Sequence, residues 1–159
     1  MGEGVFVDAA PYVSNDRPFD SRSVALADLW NRGVLDVVVA NQNDRLRIYK
    51  NHTPGDRHWI AFEAPSRAGQ KNPVGTQVQV FWNGQSQTQV INGGIGFSSQ
   101  NQRRLHFGLG STARVDSVRV IWPDGLREVM PEPGTDRLHV LSRPAPRQAQ
   151  ALDEWDQVR

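Results

Sequence analysis

Short segments in which apolar and polar residues alternate, separated by turn-forming residues, dominate this 159-residue chain. A period of two places successive side chains on opposite faces of a strand, and helical periodicity is almost absent. Roughly ten such segments with frequent turn signals predict an all-β fold, an antiparallel β-sandwich or a barrel-like module. The predicted strands are residues 23–28, 35–41, 45–50, 59–63, 76–82, 86–92, 104–109, 117–122, 126–130 and 137–141.

The phase of the alternation predicts which side chains form the core. The expected core residues are Val78, Val80, Trp82, Leu105, Phe107, Leu109, Val118, Val120 and Trp122. Leu46 and Ile48 are expected to point inward from the third strand, and the apolar run 37–39 indicates an inner strand covered on both faces. Asn83-Gly84 predicts a type I′ hairpin, because both residues tolerate positive φ.

Composition excludes several classes of protein. Eighteen basic residues are offset by 17 acidic ones, so nothing favours a nucleic-acid partner. The absence of cysteine excludes disulfides and zinc–thiolate sites. No apolar run is long enough for a membrane span. The chain start lacks the features of a signal peptide, so it indicates either a cytoplasmic protein or a piece of a longer exported chain.

Changes in composition predict three segments. The polar stretch 51–57 separates a first unit, 5–51, from a second, 58–142, and Trp59 beside this joint is expected to pack between them. The remainder, 143–159, begins with a Pro-rich spacer. Leu152, Trp155 and Val158 would then share one face of a short helix, in which Trp155 is a candidate contact residue.

Four ordered blocks in the second unit resemble the ASPIC/UnbV module. They are residues 73–78 (Pro-Val-Gly-Thr-Gln-Val), 93–100 (Gly-Gly-Ile-Gly-Phe-Ser-Ser-Gln), 105–110 (Leu-His-Phe-Gly-Leu-Gly) and 115–125, which ends in Trp-Pro-Asp-Gly. The first unit resembles one degenerate FG-GAP/VCBS repeat of the integrin α type, which forms a blade-like sheet. The resemblance implies a β-rich, non-catalytic module at the end of a longer repeat protein. A single repeat buries its apolar faces only against neighbours, so its strands would pack on the second unit or on another chain, or would have lost their partners by truncation.

The FG-GAP resemblance also implies a calcium loop between the first two predicted strands. The family pattern, Asp-x-Asp/Asn-x-Asp-Gly-x-x-Asp, supplies the many oxygen ligands that Ca²⁺ requires. Asp28, Asn31 and Asp36 remain as candidate ligands, whereas Trp30 and Arg32 stand where two oxygen ligands are expected.

The positive charge of Arg32 opposes divalent binding in this loop, by an energy on the order of several kcal/mol. Two alternatives therefore stay open. Either the loop binds calcium, or Arg32 pairs with Asp28 or Asp36 and maintains the turn without metal. We expect the second, and no cofactor.

Further candidate binding residues lie on polar or exposed segments. The turn Ser98, Ser99 and Gln100 could hydrogen-bond a sugar or a peptide, and Trp30 with Arg32 forms a second candidate surface. The glycine run before this turn lacks the Gly-Lys-Ser/Thr ending of a phosphate loop, so it indicates a bend or bulge. His106 and His139 are expected on one sheet face, which does not make a catalytic zinc site.

No catalytic constellation is recognisable, so we expect a non-enzymatic interaction module that binds a protein or a glycan. One alternative is an accessory protein of enediyne-type natural-product biosynthesis, to which UnbV-type proteins are related, with a hydrophobic small molecule as ligand. A second is a calcium-dependent adhesion module. Unpaired strands of the first unit could also support a homo-oligomer.

Overall fold

The computed structural model describes residues 20–53, 56–64 and 73–143, and within these ranges it is all-β, with no α-helix. The strands are β1 (Ser21–Ala27), β2 (Asp36–Asn41), β3 (Arg47–Tyr49), β4 (His58–Glu63), β5 (Gln77–Trp82), β6 (Gln85–Val90), β7 (Leu105–Gly110), β8 (Ser117–Ile121), β9 (Arg127–Pro131) and β10 (Arg137–Val140). All ten correspond to predicted strands. The predicted terminal helix with Trp155 lies outside the described residues.

The strands form three sheets, and none of them closes into a barrel. One sheet has the order β1-β2-β3, the second β10-β4-β7 and the third β6-β5-β8-β9. All pairings are antiparallel except that of β10 with β4, which is parallel. The all-β prediction is therefore confirmed, as a sandwich-like module rather than a barrel.

The core lies between the second and third sheets. Its buried apolar residues are Ile60, Phe62, Ala64, Val78, Val80, Trp82, Ile91, Leu105, Phe107, Leu109, Val115, Val118, Val120, Trp122 and Leu141. All nine residues expected from strand phase belong to this cluster. Phe62 and Phe107 meet edge to face with ring centroids 5.9 Å apart, a favourable aromatic geometry. Alternation thus predicted the core of the sandwich correctly.

The hairpin between β5 and β6 also forms as predicted. Asn83 and Gly84 have φ of 45° and 71°, so both adopt the left-handed conformation of a type I′ turn. Pairing then runs without a register shift from Trp82 opposite Gln85 to Gln77 opposite Val90. The turn therefore sets the register of β6, which lies at the edge of its sheet.

The three-stranded sheet differs from expectation in its burial. Leu46 and Ile48 are 59% and 51% exposed, so the prediction that both point into a core is wrong. β2 is the middle strand, yet residues 37–39 are only half-buried and are not covered on both faces. Hydrophobic alternation identified the strands, but it could not show whether a second layer covers the sheet.

The Trp-Pro-Asp-Gly turn connects β8 to β9. The buried indole of Trp122 donates a hydrogen bond to the Glu128 carboxylate. Burial raises the pKa of Glu128, and the indole hydrogen bond and the charge of Arg143 offset this only in part. The Arg143 guanidinium also hydrogen-bonds Asp124 and lowers the pKa of that carboxyl. These contacts have a structural role, because they hold the turn against β9 and the end of the chain's described part.

Candidate binding site

The loop between β1 and β2 is organised by a buried carboxylate. Asp28 is 3% exposed, and its oxygens accept hydrogen bonds from the backbone N–H groups of Arg32 and Gly33, at 2.8 and 2.7 Å. Asp36, at the end of the loop, is fully buried. The two aspartates thus satisfy loop amides that would otherwise be buried without partners.

Arg32 pairs with Asp36. Its guanidinium lies 2.7 Å from one carboxylate oxygen and also donates to the carbonyl of Asn51 at 2.9 Å. The same oxygen of Asp36 accepts the N–H of Asn51 at 2.8 Å, and the other oxygen accepts the N–H of Leu29 at 3.3 Å. Arg32 therefore supplies the positive charge that this buried carboxylate requires.

These contacts do not fit a calcium site. The oxygens of Asp28 and Asp36 already accept N–H groups, and the Asn31 side-chain oxygen accepts a hydrogen bond from Arg104 at 2.8 Å. A hard cation needs six to eight oxygen ligands that are free to coordinate. The described residues also contain no group of three or more His, Cys, Asp or Glu side chains able to hold a metal.

We therefore expect that millimolar calcium leaves the melting temperature of the protein unchanged. The guanidinium of Arg32 already compensates Asp36, so the ion would have to displace it against charge repulsion. Differential scanning fluorimetry with calcium, and with magnesium as control, measures this directly. A calcium-specific rise that Asp28→Ala abolishes would contradict it.

Trp30 is exposed beside two cations. Its side chain is 47% accessible, and the Arg32 guanidinium and the Lys50 ammonium lie 5.3 and 5.2 Å from its ring centroid. Both distances are within cation–π range. Trp30 and Arg32 are therefore neighbours on the surface, and their role in binding stays a prediction.

Gly33 is the point at which the loop meets the sandwich. A Cβ at this position would lie 2.0 Å from Nε1 of Trp59, and φ is +78°. Trp59 stacks on His106 with ring centroids 5.6 Å apart, and Nε2 of His106 lies 2.8 Å from the Gly33 carbonyl oxygen. Trp59 thus packs against the first segment, as its position beside the polar joint suggests. The contact requires a residue without a side chain.

We expect Gly33→Ala to lower the free energy of unfolding by about 2–4 kcal/mol, because the methyl group overlaps the Trp59 ring and the left-handed backbone adds strain. Chemical denaturation measures the loss. Gly108→Ala is the matched control, since Gly108 pairs with Trp59 across the strands but a Cβ there meets no atom within 4 Å. Equal stability of the two variants would contradict the account.

The segment before β7 binds the outer edge of β1. Asn101 accepts the N–H of Leu26 through its side-chain oxygen at 2.9 Å, and the Gln102 N–H donates to the Leu26 carbonyl at 3.0 Å. The Gln102 side chain accepts the N–H of Asp28 at 2.9 Å. These bonds satisfy part of the exposed edge of β1 and fix the segment against it.

A tight turn precedes this segment. The N–H of Ile95 donates to the carbonyl of Ser99 at 3.0 Å, and the Ser99 hydroxyl donates back to the Ile95 carbonyl. Gly96 and Ser98 adopt left-handed φ of 74° and 49°. Phe97 at the tip is 73% exposed. We call residues 95–99 the Phe97 turn.

The geometry of the Phe97 turn reduces the number of side chains that are free to bind a ligand among the predicted residues Ser98, Ser99 and Gln100. The Ser99 hydroxyl is engaged within the turn, so of the predicted binding residues only Ser98 and Gln100 present exposed polar side chains here. The glycine run bends at Gly93 and Gly96, as predicted, but it lies outside the strands. Sequence reasoning missed Phe97, although an aromatic residue in a Gly/Ser loop has no strand phase that would bury it.

Two surface clefts flank the loop between β1 and β2. The first has a volume of about 360 Å³ and includes Ile95 and Gln100 in its lining, and the second, of about 590 Å³, includes Arg32. Leu35 and His106 line both clefts. The structure therefore brings the two predicted binding segments to neighbouring clefts but does not merge them into one site.

The two histidines do not share a sheet face, which corrects the expectation from their strand positions. His106 pairs with Ala61, whereas His139 pairs with Phe62, the next residue along β4. Successive residues of a strand point to opposite faces, so the two imidazoles lie on opposite sides of the sheet. His139 stacks on Phe62 and contacts the Gly134 carbonyl at 2.8 Å. Both histidines make structural contacts.

Part of the chain is similar in sequence to curated proteins. Cartilage acidic protein 1 of Homo sapiens is 29% identical over 105 residues, which cover 65% of this chain and 16% of that protein. The protein of the same name from Mus musculus is 29% identical over 106 residues, with 66% and 16% covered. The chain thus spans about a sixth of the length of these curated relatives. In the described part of the chain, no helix is long and apolar enough to cross a membrane.

Residues 66–148, more than half of the chain, match the family described as ASPIC and UnbV. The matched range contains all four sequence blocks and extends past residue 142, the predicted end of the second unit. The FG-GAP/VCBS assignment of the preceding unit and the three segment boundaries stay predictions. The chain belongs to the ASPIC and UnbV family.

Proposed function

We propose that this chain is a non-catalytic binding module that contacts a protein partner through the Phe97 turn. The observation that carries the proposal is the 73% exposure of Phe97 at the tip of a hydrogen-bonded turn. Ile95, 46% exposed, lies in the same turn. Exposed aromatic and aliphatic side chains next to each other are typical of the buried centre of protein interfaces.

The rigidity of the turn favours recognition. Two hydrogen bonds join Ile95 and Ser99, and the neighbouring Asn101 and Gln102 bind the edge of β1. A side chain presented by a fixed backbone loses little conformational entropy on binding. Phe97 is therefore presented as an anchor on a preorganised surface.

A protein partner suits this surface better than a glycan. Sugar recognition needs several free polar groups around an aromatic ring, and the Ser99 hydroxyl is already engaged within the turn. Ser98 and Gln100 remain as polar neighbours, a composition that resembles the rim of a protein interface. A glycan ligand is the alternative outcome of the experiment below.

Two further observations support a role without catalysis. Membership in the ASPIC and UnbV family suggests a non-enzymatic domain. The polar groups at the junction are also used for structure, since Asp28, Asp36 and His106 all contact loop backbone atoms. A general acid or base must instead be available to a substrate.

The alternative of a hydrophobic natural-product ligand has less support. Such a ligand would need an apolar cavity, whereas fifteen buried apolar side chains pack together between the sheets. The first cleft contains apolar Leu26 and Val90, but Arg103 and Arg104 also line it. This mixed lining fits a contact surface better than an apolar ligand site.

We expect Phe97→Ala to reduce partner recovery by about tenfold or more, the effect of losing an interface anchor of roughly 1.4 kcal/mol or greater. Affinity capture with quantitative mass spectrometry from the source cells, comparing the variant with the wild type, measures the loss. Ile48→Ala is the matched control, because Ile48 is 51% exposed on β3 of the three-stranded sheet and lies outside the Phe97 turn.

The melting temperatures of both variants should equal that of the wild type, since neither side chain is buried. Recovery of the same proteins in the same amounts by Phe97→Ala would refute the proposal. Selective binding to a glycan array, lost in Phe97→Ala, would refute a protein partner and favour the glycan.

A further inference from the structure

The outer edge of β6 is the surface from which this inference starts. β6 is an edge strand of the four-stranded sheet β6-β5-β8-β9, and its six residues pair with β5 without a register shift. In a two-residue hairpin the closing pair is hydrogen-bonded, here Trp82 with Gln85, and the pattern then alternates. The backbone groups of Gln87 therefore face β5, while those of Ser86 and Thr88 point away from the sheet.

Among the strands that the structure describes, β6 is the edge strand whose own sequence carries none of the features that oppose strand addition. Natural proteins protect exposed edges with charges, prolines, bulges or covering groups. Arginine occurs in each of the edge strands β1, β3, β9 and β10, and β9 also ends in proline. β6 reads Gln-Ser-Gln-Thr-Gln-Val, without charge, proline or a register shift.

The remaining edge strand, β7, has its own protection. The Gln89 side chain donates a hydrogen bond to the carbonyl of His106 at 2.7 Å, which covers part of the β7 edge. Gly108 and Gly110 interrupt that strand and offer no side chains for cross-strand pairing. Among the described strands, β6 is thus the edge best suited to receive another strand.

We propose that β6 pairs antiparallel with β6 of a second copy of this chain, with the two-fold axis at Gln87. In this register Ser86 lies opposite Thr88 of the other copy, and their outward backbone groups form the ladder hydrogen bonds. Ser–Thr pairs stabilise such ladders. Gln87 meets its own equivalent at the axis, where each amide can donate to and accept from the other.

The self-complementarity of the strand favours a second copy over an unrelated peptide. A two-fold interface needs one surface that matches itself, and a charged residue at the axis would repel its equivalent. At the axis β6 has Gln87, whose uncharged amide carries both a hydrogen-bond donor and an acceptor. The dimer is centred on Gln87, whereas the proposed protein contact rests on Phe97, so different variants test the two proposals.

Disulfide trapping tests the register directly, because the chain contains no cysteine. Gln87 would form a non-hydrogen-bonded pair with Cα atoms about 4.5 Å apart, within the range of a disulfide. We expect Gln87→Cys to form a covalent dimer at least about tenfold faster than Arg127→Cys, an exposed control on β9, because pairing raises the local thiol concentration. Equal rates would overturn the proposal, and faster trapping of Thr88→Cys would overturn the Gln87-centred register.

Sedimentation velocity of the full chain without added cysteine gives an independent measurement. We expect a concentration-dependent shift from 17.8 kDa to twice that mass. Gln87→Lys, which places two ammonium groups at the axis, should weaken the dimer roughly fivefold or more. Thr88→Pro should abolish the dimer and preserve the β5–β6 hairpin, since only an outward N–H is removed. A wild-type monomer at submillimolar concentration, or unchanged association of Gln87→Lys, would overturn the proposal.

Discussion

The contact between Gly33 and Trp59 is the constraint on which the arrangement of this molecule depends. A three-stranded sheet with half-buried faces has little core of its own, so it needs a fixed attachment to the sandwich. The attachment is formed where a left-handed glycine lets the indole approach, and His106 stacks on that indole while contacting the Gly33 carbonyl. The positions of both clefts follow from this junction.

The loop that reaches the junction is stabilised by carboxylates and a guanidinium of the chain itself. Asp28 binds backbone amides, and Arg32 compensates the charge of the fully buried Asp36. A salt bridge of this kind is costly to break by removing one partner, because the other charge then stays buried alone. Arg32, which stands where the predicted calcium pattern would have an oxygen ligand, therefore has a structural role of its own.

Sequence periodicity predicted the strands and the core because both follow from the alternation of side chains along single strands. It could not predict that Leu46 and Ile48 are exposed, since burial there depends on whether a second layer covers the sheet. It also failed for His106 and His139, whose faces depend on the register of strands distant in sequence. The sequence pointed to the polar residues Ser98, Ser99 and Gln100 but not to Phe97, because the hydrogen bonds between Ile95 and Ser99 that form the turn leave no periodic signal.

Native-state hydrogen exchange measured as a function of denaturant tests the central claim most directly. If the junction couples the three-stranded sheet to the sandwich, the slowest amides of β2 and of β5 should exchange with the same free energy, that of global unfolding. Exchange of the β2 amides through a separate opening of much lower free energy, while β5 stays protected, would show that the Gly33–Trp59 contact does not hold the two parts together.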